Sequence, residues 1–265
     1  MRFATWNVNS IRARVDRVVD WLQRSDVDVL AMQELKCRPS QFPFQRFEDA
    51  GYEVHMHGLN QWNGVGFASR IPAEDVVEGF PGMPEWGASG LEARALGATF
   101  DGVRLWSLYV PNGRELDNPH YTYKLDWLKA LADDAAGWLA AEQPLALMGD
   151  WNIAPRDEDV WSMDFFAGRT HVSAPERAAF QRFIDLGFRD VVRPYLPEGY
   201  TYWDYQQLRF PRNEGMRIDF ILGSPEFASE VTGASIDRDE RKGEQPSDHV
   251  PVIVDWGPDD RPMVF

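Results

Sequence analysis

The sequence predicts an α/β protein in which two packed β-sheets are flanked by helices. Strand-like segments occur in pairs along the chain, and segments with helical spacing lie between some of them. Residues 145–148 are apolar at every position, which is typical of a strand that is buried on both faces. The 265 residues contain no repeat and no linker-like segment, so we expect one domain over residues 1–257 and a flexible tail over residues 258–265.

In the first half of the chain, predicted strands are short segments with apolar or alternating character. They span residues 3–9, 27–34, 52–57, 65–69, 93–100 and 103–110. The last two are expected to form a β-hairpin, because Asp101-Gly102 between them is a strong two-residue turn signal. A helix is predicted over residues 14–24, whose valines and leucine share one face. Residues 71–90 contain several prolines and glycines and are predicted to form a loop.

The second half of the chain begins with the longest predicted helix, over residues 123–142. A second helix is predicted over residues 175–186, with Ser173 as its N-cap. Residues 157–170 have no clear period and are expected to form loops and short turns. The remaining predicted strands span residues 145–148, 200–205, 217–222 and 250–256.

The acidic composition limits the functions that the chain can have. A formal net charge of −15 argues against non-specific binding of nucleic acid, because an acidic surface repels the phosphate backbone. This charge is compatible with a local basic groove, and also with a metal site built from carboxylates. The single cysteine, Cys37, excludes an internal disulfide and fits a reducing compartment. With no leader-like segment and no apolar run long enough to span a membrane, we expect a cytoplasmic protein.

Polar side chains lie at the ends or starts of five predicted strands and within a sixth. They are Asn7, Asn9, Glu34, Tyr109, Asn112, Asp150, Asn152, Asp219, Asp248 and His249. Each alone is also explained by an ordinary polar turn, but together they indicate one polar cluster at the edge of the sheets. Most of the donors are oxygens, which suit Mg²⁺ or Mn²⁺ better than Zn²⁺. Such a metal beside a histidine and a second carboxylate is suited to phosphoester hydrolysis.

Six motifs in order carry a family resemblance. They are Thr5-Trp6-Asn7-Val8-Asn9, Gln33-Glu34-Leu35-Lys36, Tyr109-Val110-Pro111-Asn112, Gly149-Asp150-Trp151-Asn152, Arg217-Ile218-Asp219 and Ser247-Asp248-His249. Together they resemble the endonuclease/exonuclease/phosphatase superfamily and, within it, the exonuclease III and class II AP endonuclease branch. The resemblance covers residues 2 to about 256. It implies a four-layered α/β sandwich with two packed, mixed β-sheets.

The resemblance also implies catalytic roles for five of these residues. Glu34 would be the main Mg²⁺ ligand, and Mn²⁺ is a plausible substitute for the ion. Asp150 would align or deprotonate the attacking water, and Asn7 would hold Asp150 through a hydrogen bond. His249 would contact the phosphate and stabilise its charge, while Asp219 would orient the imidazole ring.

Further residues of the motifs are expected to contact the phosphate or the metal. Tyr109, Asn112 and Asn152 would contact the scissile phosphate, and whether Asp150 or an ionised Tyr109 takes the proton of the water stays open. Asp248 and Asn9 would lie near the metal. Some relatives carry Asp where this chain has Asn9, and a neutral amide there weakens a second metal site. One Mg²⁺ is therefore favoured over two.

Residues that bind DNA are implied by the same resemblance. Arg114 would enter a groove of the duplex, while Tyr202, Met216 and Ile218 would form a small apolar pocket for a sugar that lacks its base. Asn213 is assigned to the same surface. Four histidines outside the motifs are interpreted as ordinary surface or packing residues: His55, His57, His120 and His171.

The predicted function is that of a Mg²⁺-dependent DNA repair nuclease that acts as a monomer on double-stranded DNA with abasic sites or 3′ ends. It would combine 3′-to-5′ exodeoxyribonuclease and AP endonuclease activity. A phosphoesterase for small molecules or lipids is the second hypothesis, and Arg114 with the Tyr202–Met216 pair argues against it. A non-catalytic DNA-binding regulator is the third, and the intact catalytic motifs argue against it.

Overall fold

A computed structural model describes residues 1–258. The twelve strands are β1 (Arg2–Asn7), β2 (Val29–Gln33), β3 (Glu53–His57), β4 (Val65–Ser69), β5 (Ala73–Glu78), β6 (Ala95–Phe100), β7 (Val103–Tyr109), β8 (Leu145–Asp150), β9 (Arg189–Asp190), β10 (Asp219–Gly223), β11 (Val231–Ile236) and β12 (Val252–Trp256). The α-helices are α1 (Ile11–Ser25), α2 (Phe44–Glu48), α3 (Pro119–Leu139), α4 (Met163–Phe166), α5 (Ala174–Leu186) and α6 (Pro225–Ser229).

The strands form two six-stranded sheets. The first sheet has the order β11-β12-β1-β2-β4-β3, and the second has the order β5-β6-β7-β8-β10-β9. Each sheet contains one parallel pair, β1 with β2 and β7 with β8, and its other pairs are antiparallel. Both sheets are therefore mixed, as predicted. In each, a central strand lies between one parallel and one antiparallel neighbour.

Three apolar clusters hold four layers together. The cluster between the two sheets includes Phe3, Phe67, Leu105, Met148 and Ile221. On the outer face of the first sheet, β1 and β2 pack against α1 and α2; on the outer face of the second, β7, β8 and β10 pack against α3 and α5. The predicted α/β sandwich of two packed sheets flanked by helices is confirmed.

Several predicted elements differ from the structure. Residues 71–90 are not entirely loop, because they contain the edge strand β5, which is exposed at five of its six residues and so shows no alternation of buried and exposed positions. The prediction of a strand over residues 200–205 is wrong; among these residues only Tyr202 forms isolated bridges. Strand β11 was missed; it is an edge strand of small and mixed residues in which Thr232 and Ser235 are exposed. The predicted N-cap of α5 is confirmed, since the Ser173 hydroxyl accepts from the backbone of Glu176.

Within residues 1–258, no helix has the length and apolar character required to cross a bilayer. The expected tail over residues 258–265 lies, from residue 259 onward, outside the described part of the chain.

Candidate active site

The two sheets meet at the ends of their central strands, where Asn7 closes β1 and Asp150 closes β8. The Asn7 amide nitrogen Nδ2 donates to Glu34 Oε1 at 2.8 Å and to Asp150 Oδ2 at 3.0 Å. One buried carboxamide therefore holds carboxylates from both sheets, and the predicted cluster at the strand ends is present.

Gly149 explains how β8 brings Asp150 so close to its neighbour β7. In the parallel register, Gly149 lies opposite Leu108, and Tyr109 lies opposite Asp150. A Cβ atom on residue 149 would stand only 1.9 Å from the carbonyl oxygen of Leu108. This approach admits only glycine, and it fixes the position of the carboxylate that follows.

Glu34 follows β2 directly and has a positive φ of 53°. Its Oε2 atom lies 2.8 Å from the ammonium of Lys36. Burial would raise the pKa of Glu34, but the charge of Lys36 and the Asn7 hydrogen bond outweigh it and hold the pKa below its usual value. Glu34 is therefore ionised at neutral pH.

Asp150 is buried and firmly held. Its Oδ1 atom accepts from the backbone N–H of Asn152 at 2.9 Å, while Oδ2 accepts from Asn7. Burial raises the pKa of Asp150 to about 7, helped by the charges of Asp219 and Glu34 and opposed by His249. A carboxyl with a pKa near neutrality is well matched to proton transfer.

His249 forms a pair with Asp219. The ring atom Nδ1 lies 2.8 Å from Asp219 Oδ2, and Nε2 lies 3.6 Å from Asp150 Oδ2. Asp219 reaches this place because it stands directly opposite Asp150 in the β10–β8 register. Burial opposes charge on the ring, but the two carboxylates outweigh it and raise the pKa of His249 to about 10. At neutral pH this pKa keeps the ring an imidazolium: Nδ1 donates to Asp219, and the Nε2 N–H lies beside Asp150 beyond hydrogen-bond distance.

Asp248 and Asn9 form the outer side of the cluster. The Asn9 amide donates to Asp248 Oδ1 at 3.0 Å, and its oxygen accepts from the Lys36 ammonium. Burial raises the pKa of Asp248 above its usual value. Asn9 thus links Asp248 to the lysine that also faces Glu34.

Tyr109 closes β7 and faces Glu34. Burial raises the pKa of Tyr109 well above its ordinary value, and the charge of Glu34, to which the phenol donates, adds to this effect. The guanidinium of Arg94 lies over the ring, with Cζ 4.8 Å from its centroid. The phenol is therefore neutral at neutral pH.

Asn112 and Asn152 contact each other beside Asp150. Asn112 Nδ2 donates to Asn152 Oδ1 at 3.0 Å, and Asn152 Nδ2 donates to the carbonyl of Val110 at 2.9 Å. The amide oxygen of Asn112 is also occupied, since it accepts from the N–H of Arg114. Both carboxamides thus have their oxygens bound by the protein and their nitrogens partly free to donate.

Sequence reasoning missed His171, which was interpreted as an ordinary residue. Its Nε2 atom lies 3.2 Å from Asn152 Oδ1 and 3.4 Å from Asn112 Nδ2. Burial, with help from the charge of Lys124, lowers the pKa of His171 to about 3, so the ring is neutral. No motif marks this position, because the contact arises only when the loop before α5 packs beside the strand ends.

The residues assigned to DNA lie in two places. Tyr202, Met216 and Ile218 belong to one small apolar cluster, in which the backbones of Tyr202 and Met216 pair. Met216 also lines a cavity of about 630 Å³ together with Arg114 and His171. Asn213 lies apart from it: its side chain accepts from the Trp203 indole and lines a different cavity, of about 570 Å³.

Among residues 1–258, one group of potential ligand side chains lies close enough together to hold a metal ion. It comprises Glu34, Asp150 and His249, with ligand atoms within 4.8 Å of one another. A protonated His249 cannot act as a ligand, so the available donors are carboxylate oxygens. Asp219 Oδ1, next to this group, is buried without a hydrogen-bond partner. Hard oxygen donors fit a cation such as Mg²⁺ or Mn²⁺.

The comparisons agree with this fold. The model of the Endonuclease/Exonuclease/phosphatase family matches residues 4–249, and the chain belongs to this family.

Three similar proteins are particularly informative. Exodeoxyribonuclease III of Haemophilus influenzae is 30% identical, and the match covers 97% of this chain and 100% of that protein. The 3′ phosphatase NExo of Neisseria, solved with a product DNA hairpin, is 36% identical with a TM-score of 0.92, over 97% of this chain and 99% of that one. An AP endonuclease from Archaeoglobus fulgidus is 34% identical with a TM-score of 0.89, over 97% and 99% of the two chains.

Proposed function

We propose that this chain is a Mg²⁺-dependent DNA repair nuclease. It would act as a 3′-to-5′ exodeoxyribonuclease and AP endonuclease, hydrolysing phosphodiesters at abasic sites and 3′ ends. Relatives over nearly the whole chain are named an exodeoxyribonuclease III, a 3′ phosphatase and an AP endonuclease. The observation that carries the proposal is the placement of Asp150, held by Asn7 and 3.6 Å from the His249 ring, beside the Glu34 carboxylate.

Glu34 would hold the metal ion, with Asp248 and Asn9 beside it. The bound ion neutralises phosphate charge and favours attack by water. The Lys36 ammonium already faces both Glu34 and Asn9, and Asn9 carries no charge of its own. This arrangement supports a single ion.

Asp150 is the residue that we assign as the base. Its carboxylate is fixed by Asn7 and by the Asn152 backbone, so it can orient a water molecule without reorganisation. A pKa near 7 lets it accept a proton from that water close to neutral pH. Tyr109, with its raised pKa and its hydroxyl donating to Glu34, is better suited to donate a hydrogen bond than to accept a proton.

The phosphate would lie against donors from both sides of the site. His249 offers an N–H from Nε2, and its charge opposes the negative charge that develops on the phosphate. Asn112 and Asn152 offer amide N–H groups to the phosphate, while the oxygen atoms of the same carboxamides already accept hydrogen bonds from the protein. Asp219 keeps the imidazolium oriented through its contact with Nδ1.

The DNA would be recognised by a small part of an acidic surface. Arg114 is exposed and lines the cavity beside Met216, where it would meet a phosphate of the backbone. The cluster of Tyr202, Met216 and Ile218 offers apolar contact to a sugar that has lost its base. Asn213 is proposed only as a peripheral contact, since its carboxamide is bound to Trp203.

We further propose that residues 1–257 form one domain and that one chain suffices for activity, because one chain supplies all of these side chains. The only cysteine, Cys37, is buried and free, which supports the cytoplasm as the location.

Three substrates test the proposed function. We expect Mg²⁺-dependent cleavage of a duplex with one abasic site, Mg²⁺-dependent shortening of a recessed 3′ end, and no release of phosphate from an inositol phosphate. All DNA cleavage should cease in chelator. Inert DNA substrates together with hydrolysis of the inositol phosphate would replace the nuclease by a phosphoesterase for small molecules.

A further inference from the structure

The described structure contains one lysine whose side chain is wholly buried next to the site and which has no part in the mechanism above. Lys124 lies on α3, and its ammonium donates to the backbone carbonyls of Asn152 at 2.6 Å and Asn112 at 3.2 Å. The third acceptor is Glu176 Oε1 on α5. An ammonium has three protons, so this one is saturated by the protein. Lys124 is therefore not available to bind phosphate itself.

The two carbonyls belong to the residues whose carboxamides face the phosphate. Asn112 lies beyond β7 and Asn152 lies beyond β8, and their side chains join through the 3.0 Å hydrogen bond described above. The Lys124 ammonium thus binds the backbone carbonyls of both loops, while the carboxamide side chains of Asn112 and Asn152 bind each other. Any shift of one loop against the other would break this arrangement.

Glu176 connects the same point to the loop that carries His171. Its Oε1 atom also accepts from the Thr170 hydroxyl and from the His171 backbone N–H at 2.9 Å, while Oε2 accepts from Ser173. The Lys124–Glu176 pair therefore joins three loops, and these are the loops that present Asn112, Asn152 and His171.

The tight packing leaves little freedom at this junction. A Cβ atom on Gly113 would stand 2.8 Å from the Thr170 hydroxyl and 3.2 Å from Lys124 Cδ. Gly113 also has a φ of 89°, which favours glycine, and its N–H donates to His120 Nδ1 at 3.2 Å. The turn after Asn112 is therefore held from several sides.

We propose that Lys124, supported by Glu176, is a positioning residue that sets the two phosphate-facing carboxamides of Asn112 and Asn152. The inference rests on the proposed function and adds to it. Lys124 touches neither substrate nor metal in this account; it acts through the backbones of the two asparagines. A misplacement of about 1 Å of such groups can cost about 10²-fold in rate.

The test replaces both charges while preserving the helix cap. Lys124→Met removes the ammonium, and Glu176→Gln keeps the capping interaction with Ser173, since Gln serves at that position as Glu does. We expect the double variant to fold, to lose about 10²-fold in kcat, and to keep KM within about threefold, because the other DNA contacts stay. The matched control is Lys129→Met with Asp133→Asn, an exposed pair on the same helix, which should leave kcat unchanged.

A second background separates positioning from general weakening of the fold. The Asn112→Ala/Asn152→Ala variant lacks the two carboxamides that Lys124 is proposed to position. Adding Lys124→Met and Glu176→Gln to this variant should therefore lower its rate of single-turnover cleavage by less than about threefold. A loss of the same size in both backgrounds would overturn the inference. An inactive unmodified protein would instead contradict the proposed function, and the two failures are thereby distinguished.

Should the double variant fail to fold, Lys124→Gln in the Glu176→Gln background decides. The glutamine keeps a polar donor at the junction but is shorter than lysine and cannot serve all three acceptors, so we expect kcat to fall by at least about tenfold relative to Glu176→Gln alone, with KM within about threefold. A kcat within about threefold of Glu176→Gln alone would overturn the inference.

Discussion

Two buried histidines lie beside the Asp150–Asn152 segment, His249 next to Asp150 and His171 next to Asn152, and they differ in charge. His249 is next to Asp219 and Asp150, and its pKa is raised to about 10. His171 is next to the carboxamides of Asn112 and Asn152 and near the Lys124 ammonium, and its pKa is lowered to about 3. Burial opposes charge on both rings, so the charge of the neighbours decides the outcome.

The difference divides the site into two halves. The His249 side, with its carboxylates, contains the groups that we propose to move a proton or to oppose the charge of the phosphate. The His171 side consists of neutral donors and acceptors, and we propose that their positions depend on the buried Lys124–Glu176 pair.

Of the substitutions that compare the two halves, the largest effect is expected from removing the charge of His249. His249→Asn removes both the imidazolium charge and the Nε2 donor, because an asparagine amide reaches only as far as the Nδ1 position, and we expect kcat to fall by about 10²–10³-fold. Asp219→Asn should cost less, because its amide oxygen can still accept from Nδ1 while only the countercharge is lost. Steady-state cleavage of an abasic duplex measures both. A larger loss in Asp219→Asn than in His249→Asn would contradict the ranking.

The second half should respond to acid instead. The folded pKa of His171 is depressed from 6.5 to about 3, so its contribution to stability is complete above pH 6.5. It is lost as the pH falls from 6.5 towards 3, because the unfolded state binds the proton first. As the pH falls over that range, His171 should lower the free energy of unfolding by up to about 1.4 kcal/mol per pH unit.

The corresponding variant is His171→Asn, compared with the unmodified protein by urea unfolding at pH 7 and pH 5 in chelator. The variant should lose less stability between these values. The variant still contains His120, and burial lowers the pKa of that ring to about 4. Some loss of unfolding free energy with acid therefore remains in the variant. Equal losses in the two proteins would mean that His171 is not held neutral.

The smallest effect concerns the apolar cluster next to both halves. Met216→Ala shrinks the wall that should exclude a sugar carrying its base, so discrimination between abasic and normal nucleotides should relax. We expect the ratio of incision at an abasic site to incision at a normal nucleotide to fall by about tenfold in one duplex context. Met216→Trp should preserve or raise that ratio. An unchanged ratio in Met216→Ala would place the recognition of damage elsewhere.

The charged half of the site was predictable from sequence, and the neutral half only in part. Glu34, Asp150 and Asp248 follow strands or precede one, so the pattern of apolar segments indicates where they lie. Asn112 and Asn152 were expected for the same reason. His171 and Lys124 were not, because they lie on a loop and within a helix and their contacts depend on how these pack against β7 and β8.

The same physical limit applies to the fold. The buried strand β8 was predictable because its first four residues are apolar and a glycine and a carboxylate follow them. The hairpin of β6 and β7 was predictable because of its Asp-Gly turn. The edge strands β5 and β11 carry polar side chains towards solvent, so local hydrophobicity does not reveal them. Residues 200–205 have the aromatic composition of a strand, but only Tyr202 pairs.

The most direct test of the account is the effect of Asp150→Asn on single-turnover cleavage of a duplex with one abasic site at fixed Mg²⁺. The substitution keeps the size of the side chain and removes the carboxylate that should accept the proton. With DNA binding intact, we predict a loss of at least about 10²–10⁴-fold in the rate of the chemical step. A loss of only a few fold would contradict the central role of Asp150 and transfer the proton to another group, with Tyr109 as the next candidate.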